Sequence, residues 1–120
     1  MKIAFPVMDN NGLNAALAEH FGRAPLYTIV DTITNNIETL ENTGEHYGGQ
    51  HSAPMNLKNN KVEILICKGL GLKAIDRLNQ LKIVVYLTKD FVVKEALESY
   101  KNNELSLATE NDSCKEERHH

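Results

Sequence analysis

From residue 62 onward the chain alternates strand-like and helix-like apolar patterns, and this alternation restricts the possible folds more than any other feature. Residues 62–67 read VEILIC, a nearly continuous apolar run of strand length. Gly69 and Gly71 then interrupt it. Over residues 72–81, Leu72, Ile75 and Leu78 share one helical face, with Leu81 on its wider margin. Residues 83–87 (IVVYL) form another strand run. Residues 90–100 place Val93, Ala96, Leu97 and Tyr100 on one face of a helix, with Asp90 near its N-cap. Strand, helix, strand, helix in succession requires parallel strands joined by right-handed crossovers.

The first half supplies antiparallel partners. Residues 2–8 (KIAFPVM) suit a buried strand, with an irregularity or strand end expected at Pro6, which has no N–H for a ladder. Asp9, Asn10, Asn11 and Gly12 are turn chemistry, and residues 13–21 are expected to make one short helical turn ending at Gly22. The LYTIVD run at 26–31 and the alternating IETLE run at 37–41 form a predicted hairpin. Residues 42–50 are a polar loop with Gly44, Gly48 and Gly49. A helix over 51–58 begins near Pro54, with Ser52 as N-cap. Leu105 and Leu107 are expected to dock the chain end. The whole is an α/β domain over residues 1–108, with a five-stranded mixed sheet and helices on both faces. Residues 109–120 are polar and read as a disordered tail.

The chain has 120 residues, 42% hydrophobic and without Trp, so its core must be aliphatic. Of the net charge of −3, the tail carries −2. A nearly neutral body argues against nucleic-acid binding, which depends on basic surface. No apolar run approaches the ~20 residues of a membrane span, and no signal-peptide pattern opens the chain. A cytoplasmic protein, monomeric or weakly dimeric and with no membrane partner, is expected. Cys67 and Cys114 are not spaced as a metal pair and read as two reduced thiols. There is no Walker A string, nucleophile elbow or Cys-x-x-Cys. Asp9, Asp31 and Asp90 are scattered and define no nuclease carboxylate set.

Three strings carry a resemblance: KIAFPV at the start, Glu19-His20-Phe21-Gly22-Arg23-Ala24-Pro25, and Cys67-Lys68-Gly69-Leu70-Gly71. Over residues 1–107 the chain resembles small stand-alone members of the dinitrogenase iron–molybdenum cofactor biosynthesis family, the group that includes NifX and the C-terminal part of NifB. The resemblance implies a ribonuclease-H-like mixed α/β fold without nuclease carboxylates. It also implies a non-catalytic carrier or assembly accessory for an iron–sulfur or molybdenum-containing cluster, exchanging it with cluster donor and acceptor proteins. It does not imply a nitrogenase role.

The candidate site residues follow from chemistry. The His20 imidazole is a possible soft-metal ligand; the plainer reading is a loop histidine bonded to nearby backbone. Arg23 can neutralise an anionic metal–sulfur core; the plainer reading is a surface ion pair. His46 and His51 flank Gly48-Gly49, and His51, opening a helix, is the better ligand of the two. A Cys67 thiolate suits soft metals; the plainer reading is a small core residue. Gly69 and Gly71 stand at the carboxyl end of a strand, where open α/β sheets bind ligands. Phe21 reads as an anchor in the core and Gly22 as a residue able to take positive φ. The metal candidates are His20, His51 and Cys67, too few for a permanent four-thiolate site, so a labile cluster is expected. The competing reading is a metal-free module that binds a protein or an anion. A hydrolase inherited with the fold is a third.

Overall fold

The computed structural model describes residues 1–42 and 53–108. One mixed sheet runs through it: β1 (Lys2–Val7), β2 (Leu26–Asp31), β3 (Ile37–Glu41), β4 (Val62–Cys67), β5 (Val84–Leu87) and β6 (Ser106–Leu107). Three helices join them: α1 (Ala53–Asn59), α2 (Leu72–Gln80) and α3 (Val93–Lys101). The strand order is β3-β2-β1-β4-β5-β6. β1, β4 and β5 are parallel, and β2, β3 and β6 are antiparallel to their neighbours.

The sheet therefore has six strands rather than the expected five. Leu105 to Leu107 dock as anticipated, but they do so by pairing: Leu107 lies opposite Tyr86 and Ser106 opposite Leu87. Two residues have too short a pattern to announce a strand. Pairing with an edge already in place decides it.

Along the central strands successive side chains turn to two different cores. Ala4, Tyr27, Ile29, Leu65 and Cys67 face one core, closed by Leu57 of α1 and by Ile75 and Leu78 of α2. Ile3, Phe5, Val7, Val30, Ile64 and Ile66 face the other, closed by Val93 and Ala96 of α3. The helices thus cover both faces. Tyr86 of β5 meets Tyr100 of α3 edge-on, ring centroids 5.4 Å apart. Because β1 and β4 lie in the middle, they are apolar and buried except at Lys2 and Glu63, whereas edge strand β3 is almost wholly exposed.

Two local expectations change. Residues 13–21 do not make one helical turn ending at Gly22. A 3-10 turn at Gly12–Asn14 gives way to extended chain, and a second 3-10 turn, Phe21–Arg23, follows. The extended stretch finds backbone partners on both sides, which a helix there would forgo: Met8 N–H donates to Ala16 O at 2.8 Å, and Leu17 N–H to Phe91 O at 2.9 Å. Gly22 has no positive φ; among the described glycines Gly12 does, at 61°. α3 also begins later than residue 90, with Val92 at its N-cap. The Asp90 carboxylate instead accepts the hydroxyls of Thr88 at 2.6 Å and Ser99 at 2.9 Å, tying the start of the helix to its own second turn.

Lys61 and Lys82 each stand between a helix and the next strand, at φ 65° and 64°. This left-handed conformation disfavours any residue with a Cβ. Lys82→Gly is expected to raise the unfolding free energy by about 0.5–1 kcal/mol, the usual gain from glycine at such a position. Urea denaturation checks this; a loss of stability would mean that the Lys82 side chain contributes more than its backbone costs.

Candidate functional site

The site begins at Pro6. The parallel register of β1 with β4 ends at Ala4 opposite Leu65, just before the residue that lacks an N–H. Past that point the chain around residues 16–18 replaces β4 beside β1. Leu17 lies opposite Val7, and Ala18 N–H donates to Pro6 O at 2.9 Å. The same stretch is held on its far side by Ala16 opposite Val92 and by Val93 N–H donating to Ala15 O at 3.1 Å. β1 and β4 thus diverge at their carboxyl ends. This is also where sheet order reverses, since the chain leaves β1 toward β2 and leaves β4 toward β5.

The loop carrying His20 to Arg23 caps this divergence. Phe21 N–H donates to Gly69 O at 2.9 Å, which joins two of the three strings noted in the sequence. The Phe21 side chain is 1% exposed and packs at 5.7 Å, ring to ring, on Tyr27. The Tyr27 hydroxyl donates to Phe21 O at 3.4 Å. Burial, then the neighbouring Cys67, push the Tyr27 phenol above its ordinary value. Phe21 is therefore the core anchor it was expected to be.

With Phe21 turned inward, His20 and Arg23 on either side of it are exposed. Gly71 is the N-cap of α2 and has no side-chain cap; Ile75 N–H returns to Gly71 O at 3.1 Å. Helix geometry leaves the amides of the first turn without intrahelical acceptors, a setting that favours an anion. A Cβ added at Gly22 or at Gly71 would meet no heavy atom within 4 Å. Both glycines border open space, so a guest can approach the backbone closely at each.

The Phe21–Gly69 bond sets the turn that carries His20 and Arg23 against the turn that begins at Gly69, and these two turns form the rim. Cys67 ends β4 directly beneath it, but its side chain faces the core shared with Tyr27, Leu57 and Leu70 and is 1% exposed. His46, His51 and Ser52 lie outside the described residues, as do Cys114, His119 and His120. Asn42 donates through Nδ2 to Ala24 O at 2.7 Å and through its N–H to Pro25 O at 3.0 Å, and Asn56 of α1 donates to Glu41 O at 3.4 Å. Asn42 therefore lies against the Ala24–Pro25 end of the string, and α1 against the end of β3.

Among the described residues, no three of His, Cys, Asp or Glu converge as a metal-ligand set. The scattered acids have separate local duties: Asp9 accepts the Asn11 and Ala16 amides, Asp31 those of Ile33 and Thr34. The Ile33 amide, chiefly, holds the Asp31 carboxyl below its usual range. No helix among the described residues is long and apolar enough to cross a membrane.

Sequence reasoning missed one contact. Lys68 Nζ lies 3.0 Å from a Glu19 carboxylate oxygen and 4.4 Å from the centroid of the Phe91 ring. The available signal was that both charged residues sit inside the distinctive strings, directly beside His20 and Gly69.

Comparison with known proteins bears on the family and the fold. Residues 1–103 match the model of a family described as dinitrogenase iron-molybdenum cofactor. An NMR structure of a protein from Thermotoga, provisionally described as NifB and assigned to the DUF35 family, is 28% identical with a TM-score of 0.78; the match covers 88% of this chain and 91% of that one. The apo form of the orange protein from Desulfovibrio gigas is 24% identical with a TM-score of 0.77, covering 90% and 92%, and a crystal structure from Methanocaldococcus jannaschii, provisionally described as a dinitrogenase, is 19% identical with a TM-score of 0.65, covering 91% and 95%. The last two likenesses show the fold alone. Among curated proteins none matches.

Proposed function

The chain belongs to the dinitrogenase iron-molybdenum cofactor family, and from that premise we propose that it is a non-catalytic carrier or assembly accessory whose cargo is an iron–sulfur or molybdenum–iron–sulfur cluster or a precursor of one. The observation that carries this reading is the rim at the divergence of β1 and β4. Exposed His20 and Arg23 stand there beside the uncapped start of α2, and open space lies over Gly22 and Gly71. That combination offers a soft-metal ligand, a fixed positive charge and backbone amides to an anionic guest. The Thermotoga relative, provisionally described as NifB, supports the same reading.

In this proposal His20 ligates a metal of the cargo and Arg23 donates to its sulfides, while Gly69 and Gly71 let the guest approach the backbone. His51, expected from the sequence as the better ligand of the two loop histidines, is the second imidazole of this proposal. Cys67 becomes a ligand only if its surroundings open, because its side chain is 1% exposed in the core. So sparse a ligand set favours release to an acceptor protein over permanent retention. The sheet order, with β2 antiparallel beside a parallel core, supports a ribonuclease-H-like description, and the absence of a membrane-length helix among the described residues is compatible with a cytoplasmic site of action.

Anaerobic reconstitution with iron and sulfide tests the proposal. The intact protein is expected to gain visible absorption that His20→Ala, His51→Ala together abolish while the thermal unfolding curve stays in place. Uptake unchanged in that double variant, or no uptake by the intact protein, would exclude the carrier reading and favour a metal-free protein- or anion-binding module.

A further inference from the structure

We propose that Lys68 is a binding residue for anionic cargo and that Glu19 is its built-in competitor, occupying the ammonium until the cargo displaces it. This rests on the carrier reading and adds to it a residue, a required charge and a means of release.

The Lys68 side chain is 14% exposed, low for a lysine, whereas its partner Glu19 is 75% exposed. The ammonium is thus held in place and its counter-ion is not. It precedes Gly69, whose carbonyl accepts the Phe21 amide, and Glu19 precedes His20. The pair therefore sits at the join between the two turns that form the rim. The ammonium is also fixed from the side by the face of Phe91, a ring that is itself 69% exposed. An exposed ring that packs on a cation, and on little else, keeps that cation positioned whether or not Glu19 stays.

The magnitudes favour exchange. An ammonium has three donors, and the Glu19 carboxylate meets it with one oxygen at 3.0 Å. Ion pairs with one freely exposed partner contribute little to stability, because the exposed side chain loses entropy and water screens it. A doubly charged metal–sulfur anion draws more strongly on the same ammonium and needs only the rotation of one exposed glutamate. When the cargo leaves, the carboxylate returns, so the lysine is not left buried without a counter-charge. Binding should accordingly be weakened by salt, and the affinity should be set below what Lys68 alone would give.

The test measures anaerobic binding of tetrathiomolybdate, by dialysis and by its visible absorption, to the intact chain and to Glu19→Gln, Lys68→Gln and the double variant. Removing the competitor is expected to tighten binding by roughly three- to fivefold, the scale of an exposed ion pair. Lys68→Gln is expected to weaken it by about tenfold, as for loss of a charge-assisted contact. In the double variant the Glu19 effect should vanish, which a merely structural role for either residue does not predict. Lys68→Gln binding like the intact protein, or Glu19→Gln binding more weakly, overturns the assignment while leaving the carrier reading standing. Absence of tetrathiomolybdate binding by every form also overturns it, and the iron-and-sulfide reconstitution decides the carrier reading separately. If Lys68→Gln does not fold, the direction of the Glu19→Gln effect alone decides.

Discussion

Phe21→Ala is expected to lower the unfolding free energy by about 3–5 kcal/mol, the usual cost of removing a buried aromatic side chain. The ring is 1% exposed and rests against Tyr27. The hydroxyl of that tyrosine donates to the Phe21 carbonyl, and its own amide donates to Gly69. Truncation therefore opens a cavity beneath the loop and removes the anchor of the 3-10 turn on which His20 and Arg23 stand. Urea denaturation measures the loss. Phe21→Leu should recover more than half of it, since leucine refills much of the volume and keeps both backbone bonds. The same pair of variants separates stability from binding: at a temperature where both are folded, the alanine form should bind cargo far more weakly than the leucine form. A loss below about 1 kcal/mol for the alanine form would show that the ring is not the anchor described.

The second large effect runs in the opposite direction. Thr28→Val is expected to stabilise the protein by about 1–2 kcal/mol, because Thr28 Oγ1 is fully buried and has no hydrogen-bond partner among the described residues. Thr28 lies in β2 between Tyr27 and Ile29, which face the α1/α2 core, so strand alternation turns it toward the α3 side, opposite Phe5 of β1. Valine keeps the shape and the β-branch and discards the unpaired hydroxyl. The melting temperature should rise by roughly 4–8 °C for each kcal/mol. A fall instead would mean that the hydroxyl bonds an internal water, in which case Thr28→Ser should retain stability better than Thr28→Val does.

The elements were legible because their signals are local. VEILIC and IVVYL announce strands, and Leu72, Ile75 and Leu78 announce a helix, from spacing that needs no knowledge of the rest of the chain. Strand alternating with helix then leaves little choice but a parallel sheet covered on both faces, which is what β1, β4 and β5 form. The distinctive strings around His20 and Gly69 were equally visible, and they do meet, through Phe21 N–H and Gly69 O.

What residues 13–21 would do was not legible, because their composition suits a helical turn about as well as an extended strip. Three neighbouring backbones, at Pro6, Met8 and Phe91, offered hydrogen bonds that only extended chain can accept. The sixth strand, the core-facing side chain of Cys67 and the pairing of Glu19 with Lys68 are of the same kind. Each depends on partners 19 to 49 residues away in the chain, as in Leu87–Ser106 and Glu19–Lys68, and sequence periodicity carries no information over such separations. The sequence by itself determined the longer strands and the helices and which residue types stand in the distinctive strings. Tertiary structure decided which face each side chain takes and which charges meet, because those are set by long-range packing and by the need to satisfy every buried backbone group.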